Sequence, residues 1–149
     1  MNNNCIVWFR RDLRLEDNQA LIEAAKHENI FPVFIFDRTI NEYSEIGGAS
    51  HWWLEKSLIS LNKKLNNKLR VLDGNSKKLV LKICQENNIK FIYWNRCYEP
   101  DRISADRELK SVLKSFYITA KSFNSSLLWE PWKIKNKSGS FYKVFTPYY

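Results

Sequence analysis

The stretch Phe91-Ile92-Tyr93-Trp94-Asn95-Arg96-Cys97-Tyr98-Glu99-Pro100 carries the reading of the fold. Its first four residues form an unbroken apolar and aromatic run, without the alternation of a strand that has one wet face. A strand apolar on successive residues is covered on both sides, as in a parallel sheet between helical layers. Phe31-Pro32-Val33-Phe34-Ile35-Phe36 has the same character, and shorter runs stand at Ile6 to Phe9, Leu69 to Leu72 and Phe116 to Ala120. Helical patterns separate them. Asp17 or Asn18 can cap a helix carrying Leu21, Ile22, Ala24 and Ala25. Ser50 can cap one in which Leu54, Leu58, Leu61 and Leu65 share a face. Ser76 opens a third, with Leu79, Val80, Ile83 and Cys84 inward, and a fourth runs from about Ile103 to Lys114. Strands divided by helices return parallel. The expectation is an α/β fold: a five-stranded, doubly wound, Rossmann-like parallel sheet with helices on both faces. Residues 1–149 make one domain, ended by an aromatic strap over Leu127 to Trp132 and Phe141 to Tyr149.

Composition narrows the function. With 149 residues, 44% hydrophobic and 27% charged, the chain is globular rather than disordered. No run approaches 18 apolar residues, so no membrane span is expected. The N-terminus lacks the basic flank and apolar stretch of a secretory signal. Cys5, Cys84 and Cys97 are odd in number and far apart, which fits a reducing, cytoplasmic setting and no structural zinc. His27 and His51 alone offer little for histidine-based metal or triad chemistry. The net charge of +8 is compatible with an anionic partner such as nucleic acid, and equally with a lysine-rich compositional bias.

Ligands of open parallel sheets sit outside the carboxyl ends of the strands, where the strand order reverses. With five strands, that point is expected between the first and fourth. The segments leaving them, Arg10-Arg11-Asp12 and Asn95 to Pro100, are the most chemically varied in the chain, and Asp37-Arg38 leaves the second strand at the same edge. Guanidinium donors, carboxylates and flanking rings suit a planar polar heterocycle. No G-x-G-x-x-G or G-x-x-x-x-G-K-[ST] loop follows the first strand, which disfavours a dehydrogenase or P-loop enzyme.

The run Val7-Trp8-Phe9-Arg10-Arg11-Asp12-Leu13-Arg14-Leu15-Glu16-Asp17-Asn18-Gln19-Ala20-Leu21 resembles the opening signature of the DNA photolyase and cryptochrome family. Gly48 to Leu58, Trp94 to Asp101 and Tyr142 to Tyr148 resemble three further family segments in the correct order. The resemblance implies the N-terminal α/β domain of a light-dependent pyrimidine-dimer repair enzyme or blue-light sensor. Such a domain can hold an antenna chromophore, a folate or a deazaflavin. FAD, the flipped-out dimer and DNA belong to a helical domain that this sequence lacks. No catalytic residue is therefore assigned, and the expected partner is that domain or a complementing chain, with DNA engaged only through it.

Carried over residue by residue, the resemblance implies antenna contacts for Arg11, Asp37, Cys97, Tyr98 and Glu99. Glu99 matches the acidic residue that hydrogen-bonds the antenna, and Arg11 and Asp37 match positions near a deazaflavin. Cys97 stands where deazaflavin-binding members have an acidic residue, and Ser44 falls near a histidine of a folate-binding member. The residues also have plainer roles: Arg10, Arg11 and Arg14 as ion pairs with Asp12, Glu16 and Asp17, Glu99 as a helix cap, Cys97 as an inert thiol, Trp52 and Trp53 as core or domain-interface residues. Two other readings stay open: a truncated, non-enzymatic remnant, and a free-standing nucleotide-binding α/β protein.

Overall fold

The computed structural model describes residues 3–40 and 47–142. Strands β1 (Asn4–Phe9), β2 (Asn29–Phe36), β3 (Arg70–Asp73), β4 (Phe91–Asn95) and β5 (Thr119–Phe123) alternate with helices α1 (Gln19–Ala24), α2 (Gly48–Lys64), α3 (Ser76–Glu86) and α4 (Pro100–Ser115). The order across the sheet is β3-β2-β1-β4-β5, with all described pairings parallel. The order reverses between β1 and β4, where Trp8 stands beside Trp94.

Successive strand residues point to opposite faces, and both faces are apolar. Ile6, Trp8, Val33, Ile35, Ile92 and Trp94 meet Val80, Ile83 and Cys84 of α3 and Leu109 and Leu113 of α4. Cys5, Val7, Phe9, Phe34 and Tyr93 meet Ala20 and Ala24 of α1 and Leu58 and Leu61 of α2. That double burial is why the strands read as continuous apolar runs.

Helix ends explain the differences in boundary. Asn18 caps α1, its side chain accepting from the Leu21 N–H at 3.1 Å. Ser76 opens α3 as expected, and Asn75 before it is the cap, accepting from the Lys78 N–H at 3.0 Å. Gly47 rather than Ser50 occupies the cap position of α2, with no side-chain bond. β5 begins three residues later than the apolar run suggests. Phe116 ends α4, and Tyr117 turns back in the left-handed region at φ 57°. The Ile118 N–H then reaches the Leu113 carbonyl at 3.0 Å and the Tyr117 N–H reaches Lys114 at 3.1 Å. This is the Schellman closure, and it spends Phe116 and Tyr117 on the helix end. Asn88, φ 50°, closes α3 in the same way.

The tail departs from expectation. Its described part holds a 3₁₀ turn, Pro131–Lys133, but Leu128 is 93% exposed and Trp129, Trp132 and Phe141 are exposed too. Of these rings Trp132 packs against Tyr98, 5.8 Å between centroids. The buried residue is Glu130, at 4% exposure. Phe145, Tyr148 and Tyr149 lie outside the described residues, as does Ser44. Trp52 and Trp53 stand outside the core, on the exposed first turns of α2.

Candidate functional site

The exits of β1 and β4 are held by a buried polar network. The Arg10 N–H donates to Asp12 Oδ1 at 3.0 Å. Asn95 Nδ2 donates to Asp12 Oδ2 at 2.6 Å and to Asn18 Oδ1 at 2.8 Å, while Asn95 Oδ1 accepts from the Ala20 N–H. One asparagine thereby ties the end of β4 to the β1 exit and the start of α1. On the opposite face, the Arg10 guanidinium grips Asp106 of α4 through Nη1 at 2.8 Å and Nη2 at 3.1 Å. It also donates to the Asn95 carbonyl at 2.5 Å and lies 5.0 Å over the Trp8 ring. Trp94 Nε1 donates to the same carboxylate at 2.8 Å. The sequence reading expected Arg10 to pair locally; its partner is 96 residues away. Asp106 was missed altogether, because an aspartate on a solvated-looking helix carries no local signal of burial.

Beside this network lies a cavity of about 270 Å³, lined by Arg11, Asp12, Arg14, Asn95 to Glu99 and Ser125 to Leu127. Four of the five expected site residues, Arg11, Cys97, Tyr98 and Glu99, meet here. Glu99 occupies the N-cap position of α4, but its side chain does not cap. One carboxylate oxygen instead accepts from Arg11. The other, Oε2, is turned inward with no hydrogen-bond partner among the described residues, on a side chain that is 44% exposed as a whole. Arg14 donates to the Ser125 carbonyl at 2.7 Å and so holds the tail against the cavity. The Tyr98 hydroxyl sits 2.9 Å from Asn124 Oδ1 and 3.0 Å from Glu130 Oε1. Burial, and then the Glu130 carboxylate, push its phenol up to about 12, so it remains a neutral donor. Cys97 is buried, and burial raises its thiol; it is packing rather than nucleophile.

Asp37 does not join them. It lines a separate cavity of about 180 Å³ with Trp8, Arg102 and Asp106. The reason is strand parity. Val33 and Ile35 face α3 and α4, and Asp37 continues that series, whereas Arg11 follows Val7 and Phe9 toward α1 and α2. The carboxylate accepts from the Ser76 N–H at 2.8 Å, the Thr39 N–H at 2.9 Å and the Thr39 hydroxyl at 2.5 Å. Burial alone would raise its pKa, but these donors outweigh burial and hold it below the usual carboxylate range. Asp37 thus anchors the start of α3.

The architecture defines a class: a doubly wound, parallel α/β domain with a cavity at the point where strand order reverses. The family model for DNA photolyase matches residues 5–149, so the chain belongs to the DNA photolyase family. It is 36% identical to a deoxyribodipyrimidine photo-lyase of Agrobacterium fabrum, over 97% of this chain and 30% of that protein. It is 35% identical to cryptochrome-2 of Arabidopsis thaliana, over 100% of this chain and 25% of that protein. Among solved structures, a bacterial class III photolyase from Agrobacterium tumefaciens superposes with a TM-score of 0.89 at 36% identity, over 99% of this chain and 31% of that one. An archaeal photolyase from Sulfolobus tokodaii, described as holding two FAD molecules with the implication of a novel light-harvesting cofactor, gives 0.75 at 32% identity, over 84% and 30%. The chain therefore spans less than a third of the length of these relatives. Among the described residues no helix is long and apolar enough to cross a membrane.

Proposed function

We propose that this chain is an antenna domain, which binds a light-absorbing heterocycle in the crevice between the β1 and β4 exits for use in light-driven repair of pyrimidine dimers. One observation carries the reading. Glu99 presents an inward carboxylate oxygen that lacks a donor among the described residues, beside the Arg11 guanidinium and the Tyr98 ring. A buried acceptor without a donor is unfavourable until something donates to it. The ring N–H groups of a folate pterin or a deazaflavin are donors of that kind. The cavity is close to the lower end of the roughly 300–1,000 Å³ typical of small-molecule sites. It takes the ring end of either chromophore, and the remainder extends from its mouth. The two FAD molecules of the Sulfolobus photolyase, with the light-harvesting cofactor they imply, support a ligand of that kind in this family.

In this proposal the reactive FAD and the damaged DNA are handled by other parts of the protein, on this chain or a partner chain. The site works in the cytoplasm, where the three thiols stay reduced. Titration of the purified protein with a folate and a deazaflavin, followed by near-ultraviolet and blue absorbance, tests it. The expected result is saturable binding of one of them, weakened about tenfold or more in Glu99→Gln and Arg11→Ala. Absence of binding by both chromophores overturns the reading and leaves the fold untouched.

A further inference from the structure

A third cavity, of about 250 Å³, lies beside the β4–α4 connection. Ile103, Arg107 and Lys110 on one face of α4 form one wall. Ser122 of β5 and the rings of Tyr98 and Trp132 form the other. Those rings stand 5.8 Å apart with a 36° tilt, and Trp132 is partly exposed.

The hydrogen bonds around this space show what it lacks. The carboxylate in the lining, Asp106, is already engaged by three donors, two from Arg10 and one from Trp94. Arg96 is neutralised by Glu130. Ser122 Oγ accepts from Lys110 Nζ at 2.6 Å and from Arg96 Nε at 3.2 Å, which fills both lone pairs and leaves its proton to donate. Lys110 is half-buried against the Trp94 ring, 5.3 Å from its centroid, and among the described residues has no carboxylate partner. Arg107 also has none among the described residues. Desolvation and neighbouring Arg96 lower the pKa of Lys110, the cost of holding a cation there without an anion. The cavity thus offers two cations without a salt-bridge partner among the described residues, a hydroxyl donor and an aromatic wall, with Asp106 as the one carboxylate in its lining.

The geometry points to a binding site for a nucleoside monophosphate, its base against Trp132 and its phosphate between Lys110, Arg107 and the Ser122 hydroxyl. Three terminal oxygens match the supply of donors better than a two-oxygen carboxylate. A flat ring uses the exposed indole face. The cavity shares Arg96, Cys97 and Tyr98 with the lining of the antenna crevice, but Arg107, Lys110, Ser122 and Trp132 line it alone.

Calorimetry of AMP against the full chain, with Trp132 fluorescence as second signal, tests the assignment. One saturable site is expected, with adenosine and inorganic phosphate each about tenfold or more weaker. Arg107→Gln, on an exposed position that leaves the core intact, and Lys110→Met, which keeps the aliphatic stem, should each weaken AMP by about tenfold. Glu99→Gln should leave AMP binding unchanged, which separates this site from the antenna crevice. Absence of saturable binding overturns the proposal. So does binding insensitive to Arg107→Gln and Lys110→Met, or binding lost in Glu99→Gln. Saturation by a 5′-phosphorylated oligonucleotide but not by AMP would also overturn it, in favour of a nucleic-acid contact.

Discussion

Replacing Asp106 by alanine removes the carboxylate that faces the Arg10 guanidinium, whose side chain is 2% exposed. Arg10 would keep the Asn95 carbonyl and the Trp8 ring, neither of which cancels its charge. Breaking one side of a buried pair costs about 3–5 kcal/mol, and the Trp94 indole N–H loses its acceptor at about 1–3 kcal/mol more. Asp106 is 13% exposed, so water can enter the space its carboxylate leaves and offset part of both terms. A net loss of about 4 kcal/mol follows, a large share of the roughly 5–15 kcal/mol that holds a domain folded. With a urea slope of about 2 kcal/mol/M, the unfolding midpoint should fall by about 2 M. Equilibrium urea denaturation followed by tryptophan fluorescence reads this directly. The double variant Arg10→Met with Asp106→Leu replaces the pair by apolar side chains. It should lose only about 1–3 kcal/mol, that of the Trp94 N–H left without its acceptor, because a buried pair is costly to break but cheap to exchange. A loss below about 1 kcal/mol for Asp106→Ala, or additive effects in the double variant, would refute the view that this pair clamps the switch point.

Three further outcomes follow from the same geometry. Tyr117 is 89% exposed in a left-handed conformation, so Tyr117→Gly should stabilise the protein by about 1 kcal/mol and raise Tm by about 2–4 °C, measured by thermal denaturation. Burial would raise the pKa of Glu130, but the Tyr98 hydroxyl and the Arg96 guanidinium prevail and hold it below the usual range. The tail's attachment is therefore fully present above the ordinary carboxylate pKa and is lost as pH falls through the lowered one; an acid titration of Trp129 and Trp132 fluorescence should show this step, and Glu130→Gln should abolish it. Burial pushes the Cys5 and Cys84 thiols up to about 12 and raises Cys97 as well, so a thiol reagent at pH 8 should label the native protein slowly and the urea-unfolded protein fully, by absorbance.

Strand parity was legible without coordinates and decides more than the apolar runs do. Arg11 continues Val7 and Phe9, and Asp37 continues Val33 and Ile35, which separates the two residues onto opposite faces of the sheet. The sheet-edge reading grouped them because both follow strand ends at the same edge, and the resemblance because both match positions near a deazaflavin. Other features had no local signal. Tyr117 in a left-handed turn defies the preference for glycine, and only the return of Ile118 to Leu113 reveals that α4 ends there. Glu130 looks like one more charge in an exposed, aromatic tail. Its burial depends on Arg96 and Tyr98, more than thirty residues earlier.

The amino-acid sequence by itself determined the layered α/β architecture and the sheet edge at which the proposed crevice opens. Covering a strand on both faces requires an unbroken apolar run, and that requirement is local in the chain. The folded structure alone decided which charges are matched: Arg10 with Asp106, Arg11 with Glu99, Arg96 with Glu130, and Lys110 and Arg107 with none among the described residues. Charge pairing acts over a few ångströms, and which residues come that close depends on how the crossover helices return the chain.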